Sequence, residues 1–186
     1  MANIIKKIGI LGDSGAGKRT LVRKTLCTQP DVEFYLEKLG VTVGKADFEY
    51  VCNSKPVKMS LLAFDMTGKE KFDDFRSKYC EGVEGAAIVA RSDAPNGIRS
   101  MEDYAEFVYK TAGKVPIAFV VNKVAGHPML GIEHHILEEK WANKYDAEIY
   151  YLNFKRCKPK TLMKPFRELG KRMLEGCEAG PWDEPV

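Results

Sequence analysis

The sequence predicts a doubly wound α/β domain: a six-stranded, mostly parallel sheet with one antiparallel edge strand and about five helices. Three observations carry this reading. Apolar runs alternate with amphipathic segments along the whole chain. Ala86–Ala90 and Ile117–Val121 are apolar at every position, as strands covered by helices on both faces are. A glycine-rich loop stands between the first apolar run and the first helical one, where a strand would feed into a helix N-terminus.

Taken in order, the first strand is expected over Ile4–Leu11 and the first helix over Lys18–Cys27. Strands at Lys45–Cys52 and Val57–Asp65 are joined by Asn53-Ser54-Lys55-Pro56, whose composition is that of a hairpin turn. A helix over Lys71–Cys80 leads to a strand at Ala86–Arg91, and a helix over Ile98–Ala112 to a strand at Ile117–Asn122. Helix Ile132–Lys144 and strand Ala147–Leu152 follow. The last helix, Thr161–Leu174, puts Leu162, Phe166, Leu169 and Met173 on one face. Pro165 implies that it starts late or irregularly. One domain is expected over residues 1–175, with a short tail at 176–186. The ligand of such a sheet lies at the carboxyl ends of its strands.

Bulk properties narrow the function. The chain has 186 residues, enough for a core without covalent staples. A net charge of +3 is too small to argue for nucleic acid as a partner. No apolar run approaches a membrane span, and strand-like sequence begins at once rather than a signal peptide. Ala2 stands where myristoylation needs glycine, and the chain ends without a prenylation box, so no lipid anchor is expected. Five cysteines at wide spacing, with no C-x-x-C pair, suggest free thiols in a reducing, cytoplasmic setting.

The chemistry concentrates in residues 12–20. Gly12, Gly15 and Gly17, with Asp13, Ser14 and Ala16 between them, allow the backbone to curl so that successive N–H groups point at phosphate oxygens. The N-terminus of the following helix favours the same anion. Lys18 can reach the outer phosphates as a point charge. The next position of such a loop normally carries Ser or Thr, whose hydroxyl ligates Mg²⁺. Here it is Arg19, followed by Thr20, and a guanidinium has no acceptor with which to ligate a cation. Further along, Asp65-Met66-Thr67-Gly68 closes the third strand. Its Asp can hold Mg²⁺ directly or through water, and its Gly N–H can sense a terminal phosphate. Asn122-Lys123 closes another buried strand, where Asn can brace the loop and the Lys stem can pack on a base.

With these three motifs in this order, the sequence resembles the Ras superfamily of small GTPases, most nearly its Rab-type members. Gly12–Lys18 resembles the family's GDSGVGK. Phe64–Gly68 with Glu70 and Phe72 resembles WDTAGQE-x-F, and Asn122–Ala125 resembles NKxD. The resemblance implies a G domain that binds GTP or GDP through residues 12–20, Asp65, Gly68, Asn122, Lys123 and Lys155. The last is the surviving Lys of the family's S-A-K loop, here Asn153-Phe154-Lys155. It also implies protein effectors, or stable complex subunits, engaged by segments around 29–43 and 66–79.

The departures fall where the chemistry is. Arg19 replaces the metal-ligating hydroxyl, and a loose alignment puts Lys38 at the first-switch Thr, with Thr42 nearby. Lys69 stands at the position of the water-orienting Gln. A charged Lys has no acceptor lone pair for that water, so hydrolysis is expected to be very slow or absent. Ala125 replaces the Asp that pairs with the guanine edge. Losing two charge-assisted bonds of roughly 1.5–3 kcal/mol each lowers guanine preference by about 10²–10⁴. Mg²⁺ binding, with Asp65 as its one carboxylate, is expected to be weak or absent. Two readings of the added cations stay open: Arg19, Lys38 and Lys69 partly replace the metal, or they point into solvent.

Three functions fit. One is a nucleotide-dependent regulatory switch, a second is a pseudo-GTPase scaffold, and a third is a P-loop kinase, which lacks support because no Arg-rich lid segment is visible. The missing lipid site and altered base motif resemble Rab-like subunits of intraflagellar transport, which would place the chain in cilia or at membranes through its partners. His134 and His135 read as surface side chains, Trp141 and Phe107 as parts of amphipathic faces, and Trp182 as a packed or partner-facing residue. The basic stretch from Lys155 through Lys164 to Arg172 reads as a solvated helix face, with an acidic partner as the rival.

Overall fold

A computed structural model of the chain describes residues 2–26, 35–36, 41–66, 80–94, 96–124, 139–174 and 177–180. Its elements run β1 (Ala2–Leu11), α1 (Lys18–Thr25), β2 (Tyr35–Leu36), β3 (Val41–Cys52), β4 (Lys55–Met66) and β5 (Gly85–Arg91). Then come α2 (Ser100–Ala112), β6 (Ile117–Asn122), a helical stretch at 139–145, β7 (Glu148–Leu152), α3 (Pro159–Arg172) and β8 (Cys177–Ala179). The sheet order is β2-β3-β4-β1-β5-β6-β7, with β8 also on β3. Strands β4, β1, β5, β6 and β7 run parallel, and β2, β3 and β8 pair antiparallel at one side. The expected doubly wound α/β fold is the observed one.

Period-two alternation explains why the central strands are apolar throughout. Ile8, Ile10, Leu61, Val89 and Val120 face one layer, built with Leu21 and Val22 of α1 and Leu162, Phe166 and Leu169 of α3. Leu11, Ile88, Phe119 and Val121 face the other, built with Met101, Ala105 and Val108 of α2 and with Trp141 and Tyr145. Trp141 stacks on Phe119 at 4.7 Å between ring centroids, the amphipathic role expected of it, and Phe107 packs at the margin of the same layer. The β3–β4 turn falls at Asn53 and Ser54, both with positive φ (49° and 63°), as a tight two-residue hairpin requires.

Several expectations need correction. Two strands are added: β2, of two residues, and β8, of three, are too short to show alternation in sequence. Strand β8 lies inside the segment expected as a tail. The last helix begins at Pro159, earlier than expected, and continues through Pro165. Pro159 occupies the first helical position, where its missing N–H is harmless. Pro165 deletes one intrahelical bond and is buried together with Leu162, Phe166 and Leu169 of the same helix. The helix also depends on Gly170, where a Cβ would lie 2.2 Å from the Tyr50 hydroxyl oxygen. That hydroxyl donates to the Arg167 carbonyl at 2.9 Å, fixing α3 to β3.

The expectation of free thiols fails for one pair. Cys52 and Cys177 face each other across β3 and β8 and form a disulfide, with their Cα atoms 4.1 Å apart. Cys157 carries a free thiol, as expected. Most of the expected helix over 71–80 and most of that over 132–144, with His134 and His135, lie outside the described residues, as do Cys27 and Trp182. Among the described residues, no helix is long and apolar enough to cross a membrane.

Candidate functional site

Residues 12–17 link the carboxyl end of β1 to α1 at the centre of the sheet. Gly12, Gly15 and Gly17 all have positive φ, and the curled backbone brings the Asp13 carbonyl to the Ala16 N–H at 3.2 Å. Lys18, the first residue of α1, is buried. Its Nζ donates to the carbonyls of Gly12 (2.7 Å) and Asp13 (2.9 Å), so the ammonium lies across the mouth of the loop it is expected to serve. Arg19 and Thr20 are exposed in the first turn of the helix, and Ser14 and Gly15 are exposed at the loop tip.

Three supports hold this loop. From β6, Asn122 donates its Nδ2 to the Ala16 carbonyl at 3.3 Å and accepts the Phe154 N–H on Oδ1 at 3.3 Å. The bracing role expected of Asn122 is therefore present. Phe154, at 1% exposure, lies beneath Gly17, where a Cβ would meet its ring at 3.1 Å and Asn122 Nδ2 at 2.9 Å. The third support was not legible in sequence. Asp13 accepts hydrogen bonds from Ser100 Oγ (2.7 Å) and Tyr104 OH (3.1 Å), tying the loop to the first turns of α2.

The remaining candidates sit around this centre. Lys123 is exposed, with its Nζ 5.6 Å from the centre of the Tyr151 ring on β7, a cation–π contact. Lys155 is exposed in a turn organised by Asn153, whose Oδ1 accepts the N–H groups of Lys155 and Arg156 at 3.0 Å each. Gly68, Lys69, Lys38 and Ala125 lie outside the described residues.

Asp65, next to last in β4, lies beside Ile10 of β1 and opposite Thr42 of β3. It is 3% exposed, and among the described residues its Oδ1 has no hydrogen-bond partner. Burial pushes its carboxyl above the ordinary range, and the Lys18 and Arg19 charges pull it only part of the way back. A carboxyl raised in the folded state lends its stability at low pH and loses it as pH rises through the folded pKa. Asp65→Asn is therefore expected to stabilise the ligand-free protein most at neutral pH, with the gain closing as pH falls through the raised folded pKa towards 3.8, the ordinary Asp value. Denaturant titrations of the two proteins across pH test this, and a gain independent of pH would contradict it.

These positions resolve the family. The profile described as "Ras of Complex, Roc, domain of DAPkinase" matches residues 7–125, well over half of the chain and including the loop, the β3–β4 hairpin and Asn122-Lys123. The chain belongs to the Roc family. Comparison with curated proteins gave no match. A Roc domain is a Ras-superfamily GTPase-type domain, so guanine-nucleotide binding of the P-loop kind follows from the family.

A divalent ion at this site fits poorly with the residues present. The hydroxyl position is a guanidinium, and β4 offers a single carboxylate, Asp65. What the site can do is hold an anion: curled backbone N–H groups, a helix N-terminus and a buried ammonium converge there.

Proposed function

We propose that this Roc domain is a nucleotide-binding regulatory protein that holds GTP with hydrolysis very slow or absent and acts through protein partners. The observation that carries this reading is the asymmetry of the site. Lys18 and the Asn122-braced glycine loop are assembled for phosphate, whereas Lys69 replaces the group that would aim water at it. Turnover in this class rests on positioning and electrostatics, so a retained cradle without a water-orienting acceptor binds and does not cut. The partner surfaces we assign are the segments around 29–43 and 66–79, which the resemblance aligns with the two switch segments of the Ras superfamily. With Ala125 in place of the guanine-pairing Asp, we expect weakened discrimination between GTP and ATP.

The test is to identify the nucleotide that co-purifies with the protein and to follow single-turnover GTP cleavage. The expected result is bound triphosphate and a rate well below about 10⁻⁴ s⁻¹, the intrinsic scale of unassisted Ras-type hydrolysis. Bound GDP with faster cleavage would refute the proposal.

A second reading has its own support. Four changed positions, Arg19, Lys38, Lys69 and Ala125, fall where the family places its metal-ligating, water-orienting and base-pairing residues. That favours a nucleotide-free pseudo-GTPase subunit of a larger assembly, of the kind the Rab-like resemblance to intraflagellar transport proteins suggests. Recovery of protein without nucleotide that also fails to bind added GTP would select it.

A further inference from the structure

The first turn of α1 has an unusual electrostatic composition. Gly17 caps it without a side-chain hydrogen bond, no acidic residue follows, and Lys18 and Arg19 open the helix together. Two cations at the positive end of a helix dipole oppose it, unless an anion sits in front of them. Across the loop, Asp65 is buried in the register position beside Ile10, with Oδ1 unpartnered among the described residues. A carboxylate oxygen without a hydrogen bond at that depth calls for a donor or a cation. The residue at the metal's usual ligand position supplies one itself, since a guanidinium is charged at every relevant pH and offers five N–H donors. A divalent ion there would instead face a like charge. Arg19 is exposed, so its side chain has freedom to turn toward the loop when phosphate arrives.

We infer that the Arg19 guanidinium takes the place of the divalent ion in this site, donating to the outer phosphate oxygens on one side and facing Asp65 on the other. The protein then holds nucleoside triphosphate without Mg²⁺. This rests on the nucleotide-binding reading above and deepens it. Planar, bidentate N–H donation suits phosphate, and the pairing needs no hydroxyl ligand from α1. It also accounts for Arg19 and Asp65 together: each alone is a liability, one against the helix dipole and the other against burial.

The experiment measures equilibrium binding of GTP and of ATP, each in excess chelator and in excess Mg²⁺, to the full chain and to Arg19→Ala and Arg19→Ser. Arg19 is exposed, so both variants keep the core. The unsubstituted protein is expected to bind within about threefold in the two conditions. Arg19→Ala is expected to lose about 10- to 100-fold in chelator, the value of one charge-assisted hydrogen bond. Arg19→Ser restores the missing hydroxyl and is expected to become dependent on Mg²⁺, binding at least tenfold better with the ion than without. A parent protein that loses its nucleotide in chelator overturns the inference while leaving the nucleotide-binding reading intact. So does an Arg19→Ala that binds like the parent in chelator. Failure of the parent to bind either nucleotide in either condition removes the reading and the inference together.

Discussion

Gly12→Ala is expected to destabilise the domain by about 3–5 kcal/mol and to abolish nucleotide binding by whatever protein remains folded. A Cβ at Gly12 would lie 2.0 Å from the Val89 carbonyl oxygen and 3.0 Å from its carbon. Val89 is backbone of β5, buried and in register with Val120 of β6, so it has no room to move. The φ of +137° adds strain for any residue with a Cβ. Overpacking costs about 1–3 kcal/mol and a forced backbone conformation about the same again. The relief available is to lift the loop off the sheet, and that displaces the Gly12 carbonyl to which Lys18 Nζ is bound. Gly15→Ala is the control. Gly15 also has positive φ (+81°) but nothing within 4 Å of its Cβ position, so it carries the backbone cost alone, about 1–2 kcal/mol. Denaturant unfolding of both variants, with GTP titration of each, separates the two effects. Equal losses for the two substitutions would show that contact with β5 is not what limits the loop.

That contrast also marks what sequence reasoning reaches. The glycine loop, the five parallel strands and the β3–β4 hairpin were legible because each is a local signal: curled glycines, apolar runs of strand length, and a turn at Asn53-Ser54. Asn122 was legible for the same reason, as a polar residue closing a fully apolar strand. What stayed hidden are contacts between segments distant in the chain. Asp13 meets Ser100 and Tyr104 across 87 and 91 residues, and neither hydroxyl carries any local mark of that task. Phe154 occupies a place where the family resemblance implies a small residue, and only its packing under Gly17 shows what the larger ring does. Pro165 misled because a proline inside a helix removes one bond of many, while burial of Leu162, Phe166 and Leu169 decides whether the helix forms.

The largest hidden contact, the bond between Cys52 and Cys177, leads to the second strong expectation. It closes a loop with a sequence separation of 125, and chain-entropy arguments assign such a closure roughly 4–5 kcal/mol, of which about 2–4 is typically realised. Reduction, or Cys177→Ser, is therefore expected to lower the melting temperature by about 5–15 °C for a domain of this size. The loss should begin at β8. That strand otherwise relies on three residue pairings with β3, on the Gly180 N–H donated to the Glu49 carbonyl (3.0 Å), on the Arg167 bond to the Gly180 carbonyl and on an exposed Lys171–Glu178 ion pair. Exposed pairs of that kind contribute little. Amide exchange at Tyr50–Cys52 is thus expected to accelerate on reduction before exchange in β5 and β6 does. Nucleotide affinity should not follow. Lys55 and Asp65 lie at opposite ends of β4, about 30 Å apart at strand rise, so the bond closes the end of the hairpin remote from the phosphate loop. Unchanged melting in reductant would show that the cross-link does not contribute to folding stability. A parallel loss of GTP affinity would instead show that β3 transmits the state of its far end to Thr42 and Asp65, which pair at the near one.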